Sequence, residues 1–155
     1  MDASRLLTGE YRRIEQLLAL ASHEFATTDK EAARLLAEIE AFLDADEEVL
    51  HRATERALGR LVHFQRTLHA RVRISSRHLR GPDLDVQARA RRFRSLREVF
   101  GRYSRFAQDF VIPRLTGALT EERRHALVRH LRSFRVTRLT VRMAARAGSL
   151  LEMDG

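Results

Sequence analysis

At 155 residues the chain has the length of one ordinary domain, spanning 1–155, and its lack of cysteine excludes disulfides, thiolate metal sites, iron–sulfur clusters and cysteine nucleophiles. Two prolines and seven glycines exclude collagen-like and turn-dense β chains, no apolar run suits a membrane span, and Met1-Asp2-Ala3-Ser4 opens no signal peptide, so a cytoplasmic protein with no membrane partner is expected. The net charge of +8 is uneven: residues 1–50 hold 5 basic and 12 acidic residues, residues 51–155 hold 24 and 9, and all the basic residues but Lys30 are arginine.

The apolar spacing is helical nearly throughout. Leu6, Leu7, Ile14, Leu17, Leu18 and Leu20 recur at three- and four-residue intervals, with Arg12, Arg13 and Glu15 between them. Thr27, Thr28 and Asp29 offer N-caps for a second helix, and Glu31 puts negative charge in its first turn. That helix carries Leu35, Leu36, Ile39, Phe42, Leu43, Val49 and Leu50 towards Ala57, and Gly59 marks a break. Leu61, Val62, Leu68, Val72 and Ile74 form a third helix that stops before Gly81-Pro82. Asp83 or Asp85 caps a fourth, bearing Val86, Phe93, Leu96, Val99, Phe100, Phe106 and Phe110, which Pro113 kinks or ends. Thr120, with Glu121 and Glu122 behind it, starts a fifth helix running to about Ala147.

No segment alternates with period two for long enough to make a strand. The expected fold is therefore all-α: four long helices on short connections pack as an antiparallel up-down four-helix bundle, with a fifth C-terminal helix appended.

Four stretches carry a resemblance across essentially the whole chain. Gly9-Glu10-Tyr11-Arg12-Arg13-Ile14-Glu15-Gln16-Leu17-Leu18 sits in the first helix, and Phe42-Leu43-Asp44-Ala45-Asp46-Glu47-Glu48-Val49-Leu50 in the second. Arg66-Thr67-Leu68-His69-Ala70-Arg71-Val72 lies in the third, and Tyr103 through Phe110-Val111-Ile112-Pro113 in the fourth, followed by Leu115 and Leu119-Thr120-Glu121-Glu122. In order and spacing these resemble the hemerythrin-like family, also known as HHE cation-binding domains. The resemblance implies a bundle whose inward histidines and carboxylates, paired at i and i+4 on a helix face, hold two irons.

The residues at those positions depart from the family pattern. The resemblance places Tyr11 at the first-helix histidine and Phe42 and Asp46 at the second-helix pair. It places His69 at the third-helix histidine and Tyr103 and Ala107 at the fourth-helix pair. One histidine and one shortened carboxylate remain, so a di-iron centre is not expected, nor the oxygen carriage, iron sensing or di-iron repair chemistry that goes with it. One reading is a metal-free core in which Tyr11, Phe42 and Tyr103 fill the vacated volume, each phenol finding a buried partner such as Asp46 or His69. The other is a single ferric ion held by Tyr11, Asp46, His69 and Tyr103, whose hard oxygen donors plus one nitrogen suit that metal. The metal would itself have to displace the phenolic protons.

The remaining histidines, His23, His51, His63, His78, His125 and His130, read as solvated or helix-end residues. No Gly-rich phosphate loop, Gly-x-Ser-x-Gly elbow or His-Glu-x-x-His motif occurs, and adjacent Glu47 and Glu48 diverge on a helix, so no catalytic residue is assigned. At about 100° per residue, Arg124, Arg135, Arg138, Arg142 and Arg146 share one sector of the C-terminal helix, with Arg132 at its edge. Arg89, Arg91, Arg92, Arg94 and Arg97 are scattered around the fourth helix. The stripe reads either as a solvated face or as a surface for non-specific nucleic acid or an acidic protein partner. In a homodimer, the stretch Asp44-Asp46-Glu47-Glu48 would meet the stripe of a second copy. The expected function is thus a non-catalytic binding, interaction or regulatory protein with a degenerate metal centre and no cofactor. Its alternatives are a mononuclear iron protein and a basic-surface module.

Overall fold

The computed structural model describes residues 3–23, 28–47, 59–80 and 85–118, and beyond them 120–123, 125, 126 and 129. Regular structure among these residues is helical throughout. Helix α1 spans Ala3–Ala21, α2 Asp29–Asp46, α3 Leu61–Arg77 and α4 Val86–Phe106. A short 3-10 turn, His78–Arg80, extends α3, and a π turn, Ala107–Val111, joins α4 to α5 at Ile112–Ala118.

Local chemistry sets the helix starts. Thr28 caps α2: its hydroxyl accepts the Glu31 N–H at 3.2 Å while the Glu31 carboxylate takes the Thr28 N–H at 3.2 Å. This reciprocal box satisfies two amides left open at a helix start and contributes roughly 1 kcal/mol. Asp85 caps α4 by accepting the Ala88 N–H at 2.7 Å. Gly59 ends the break before α3 with φ +54°, a left-handed conformation that a Cβ would penalise.

Pro113 is the second residue of α5, beyond the π turn that follows α4. Proline lacks an N–H and its ring crowds the carbonyl four residues back, which here belongs to Asp109. The chain widens to a π turn just before it, with the Ile112 N–H reaching the Ala107 carbonyl five residues back, and then continues as α5. The core line continues through Ala107, Val111, Ile112 and Leu115.

Neighbouring helices bury one cluster between them. Helix α1 packs on α2, α4 and α5, and α3 packs on α2 and α4. Along α3 and α4 the contacts Phe64 to Phe106, His69 to Tyr103 and His78 to Arg92 run in opposite order. The same holds for Tyr11 to Asp46 and Arg13 to Glu38 along α1 and α2. Ile14, Leu18, Ile39, Leu43, Val72, Phe93, Leu96 and Phe100 are fully enclosed.

Four apolar residues counted in the helical spacing point outward. Leu20 is 64% exposed and Ile74 52%. Each lies two residues past a buried one, Leu18 or Val72, and so about 200° around the helix from it. Val86, in the first turn of α4, is about half exposed, as is Phe110, which rests on Phe106 beside the π turn.

Thr120 Oγ1 accepts the Arg123 N–H at 3.3 Å, and residues 121–123, 125, 126 and 129 are helical. The rest of the predicted C-terminal helix, with Arg124, Arg132, Arg135, Arg138, Arg142 and Arg146, lies outside the described residues. So do His51, His130 and the predicted continuation of α2 from Glu48 to Ala57. Among the described residues no helix is long and apolar enough to cross a membrane.

Candidate functional site

All six positions singled out by the resemblance are buried: Tyr11, Phe42, Asp46, His69, Tyr103 and Ala107. Five of them touch one another directly. Tyr11, on α1, donates its hydroxyl to both carboxyl oxygens of Asp46, on α2, at 3.0 Å each. The Tyr11 ring meets Phe42 edge-on with centroids 4.9 Å apart and lies 5.7 Å from the Tyr103 ring. Tyr103, on α4, meets the His69 ring of α3 edge-on at 5.8 Å. Phe100, one turn before Tyr103, fills the middle: it lies 5.7 Å from Phe42 and 6.2 Å from Tyr11. These edge and tilted geometries set the positive ring edge against the negative face, the favoured arrangement for aromatic pairs.

The helices aim these groups by simple spacing. Phe42 and Asp46 are four apart on α2 and therefore share its inner face. Outside the cluster, Arg13 bridges Glu38 of α2 at 2.8 Å and Glu10 at 3.3 Å, tying α1 to α2 beside Tyr11. On the other side, Arg73 of α3 holds Asp44 at 2.9 Å and Glu47 at 2.8 Å. Within the acidic stretch, Asp46 is buried and so cannot face a second copy, while Asp44 and Glu47 share an arginine of their own chain. Glu48 lies outside the described residues.

Electrostatics follow from burial. Removal from water pushes the Asp46 carboxyl up to about 8, with the Tyr11 hydrogen bond partly opposing the rise. At neutral pH the side chain is mostly a neutral acid. Burial, then the Asp46 charge and its hydrogen bond, raise the Tyr11 phenol well above its ordinary range. Burial also lowers His69, whose Nε2 lies 3.2 Å from the Leu43 carbonyl. A carbonyl only accepts, so the neutral ring carries its proton on Nε2.

The two tyrosine hydroxyls differ. Tyr11 finds Asp46, as expected, but Tyr103 finds neither Asp46 nor His69, and its buried hydroxyl has no hydrogen-bond partner. Helix spacing brings the Tyr103 ring to the His69 edge without aligning the oxygen with a ring nitrogen. Gln65, one turn before His69 on α3, is also buried with neither amide atom hydrogen-bonded. Sequence reading passed over Gln65. Its i, i+4 relation to His69 was the available signal that both occupy one inner face.

Two irons do not fit this set of side chains. Phe42 and Ala107 offer no donor atom, and both Asp46 oxygens face a phenol. Among the described residues no three histidine, aspartate or glutamate side chains converge as a cation site. A single cation on the Tyr11–Asp46 pair would have to release the protons that burial holds on both groups. No protein-family model, curated protein or solved structure matches this chain.

Proposed function

We propose that this chain is a hemerythrin-like, antiparallel up-down four-helix bundle in which a packed aromatic core stands where the family holds metal. On this reading it acts as a non-catalytic binding or interaction protein. The neighbour order of α1 to α4 and the opposed contacts along α1–α2 and α3–α4 support the bundle. The observation that carries the functional reading is the Tyr11 hydroxyl set across both Asp46 oxygens inside a cluster of aromatic rings, which commits the remaining carboxylate to a phenol.

Metal analysis of protein produced in iron-replete medium, with a visible spectrum, tests it. The expected result is no stoichiometric iron and no visible band; two irons per chain with a bridged-iron spectrum would overturn the reading.

A second reading, one ferric ion on Tyr11, Asp46, His69 and Tyr103, is favoured by the unpartnered Tyr103 hydroxyl. It requires one iron per chain and a phenolate-to-iron absorption that Tyr103→Phe bleaches. The basic C-terminal stripe remains a separate proposal: a polyanion bound there dissociates steeply with salt, and charge reversal at Arg138 and Arg142 weakens it for all sequences alike.

A further inference from the structure

On the outer side of α3 and α4, away from the aromatic core, a groove of about 310 Å³ is lined by Ser75, His78, Arg92 and Ser95. We propose that this groove binds a phosphate oxyanion, free or as the monoester of a small molecule. The inference is independent of the metal content of the core.

Each of the four described residues that line it carries a hydrogen-bond donor, two hydroxyls, an imidazole N–H and a guanidinium, with no carboxylate among the described lining residues. They come from two helices in matched pairs. Ser75 and His78 are three apart at the end of α3, and Arg92 and Ser95 are three apart on α4, so each pair shares a helix face. The Arg92 guanidinium is anchored across the groove by a hydrogen bond to the His78 carbonyl. That contact occupies one N–H and leaves the rest of the planar fork for a ligand already in position.

Charge points the same way. Arg73, Arg80 and Arg89 are neutralised by Asp44 with Glu47, by Glu40 and by Asp29. Arg92 meets a carbonyl instead, so its charge has no carboxylate partner among the described residues. Ser75 is half-buried, and the Ser95 hydroxyl makes only a 3.3 Å contact with the Arg91 carbonyl, from which it can turn inward. Glu98, one turn past Ser95, is exposed and does not line the groove. A tetrahedral phosphate offers several acceptor oxygens to such donors, whereas a carboxylate offers two. The volume is at the small end of ligand sites and the charge is that of one arginine, which fits a single phosphate group better than a polymer backbone.

Isothermal titration of the full chain with inorganic phosphate and, separately, with ribose 5-phosphate tests this, and the stronger of the two identifies the source. The expected result is saturable 1:1 binding of at least one probe, weakened at least tenfold by Arg92→Gln and by Ser95→Asp. Ser95→Asp sets a carboxylate one turn from Arg92, where it both repels an anion and competes for the guanidinium. Arg97→Gln removes the same charge two residues past Ser95, on the opposite face of α4, and should leave binding unchanged. Absence of saturable binding by both probes, equal weakening by Arg97→Gln, or binding of duplex DNA with both phosphate probes silent would overturn the proposal.

Discussion

Tyr11 and Tyr103 are both fully buried and their rings touch, yet the two sides of the core treat their hydroxyls differently. On the α1–α2 side, the Tyr11 hydroxyl meets a carboxyl group at hydrogen-bond distance. On the α3–α4 side, the Tyr103 hydroxyl and the Gln65 amide are enclosed without partners. Identical chemistry at two matched positions therefore carries different energies, because a hydrogen bond contributes only where a partner stands within reach and an enclosed orphan costs its desolvation. The phenol–carboxyl bond belongs to one side; on the other, His69 reaches the Leu43 carbonyl while the Tyr103 ring is placed by packing.

The largest expected effect removes the satisfied side. Tyr11→Phe leaves a buried carboxyl without its donor and should destabilise the protein by about 2 kcal/mol in urea unfolding. A change within error would place the stabilisation elsewhere.

Next comes pH. The folded chain keeps a proton on Asp46 up to about 8, whereas the unfolded chain releases it near 3.8, so stability declines as pH rises through that window. His69 acts with the opposite sign: its lowered folded value makes the unfolded chain bind a proton below 6.5, and stability falls as pH drops beneath that. The two oppose each other in acid, and above 6.5 the Asp46 contribution acts alone, with a slope of at most about 1.4 kcal/mol per pH unit. Asp46→Asn should flatten stability measured between pH 6.5 and about 8; an unchanged slope would assign the titration to another group.

Gln65→Met, which keeps the shape and removes an orphaned amide, should stabilise by about 1 kcal/mol, read as a higher urea midpoint. The smallest effect sharpens the comparison most: Tyr103→Phe should stabilise, by less than about 1 kcal/mol, because its hydroxyl has no bond to lose and its removal relieves a desolvation cost. Equal losses from Tyr11→Phe and Tyr103→Phe would erase the asymmetry.

Much of the helical framework was legible in the residues alone, because its causes are local. The caps Thr28 and Asp85, the break at Gly59 and the stop of α3 before Gly81 depend on groups within a few residues of each other. Apolar character without its angle does not place a residue in the core: Leu20 and Ile74 are apolar and in helices, yet lie across the axis from it. The cost of Pro113 is local, whereas the π turn before it carries Val111 into the same core as Ile112 and Leu115.

Residue order and spacing suffice to say which residues could be helical, where most helices start, and that Tyr11, Phe42, Asp46, His69, Tyr103 and Ala107 could share an inner face. It takes the packing of helix on helix to make Asp46 bind Tyr11 and not Tyr103, to close Asp44 and Glu47 on Arg73, and to bring Ser75 and His78 to one groove with Arg92 and Ser95. Helix periodicity fixes the angle of a side chain about its own axis to within a few tens of degrees. A hydrogen bond is decided by tenths of an ångström between atoms on different helices, a distance set by how all the intervening side chains pack.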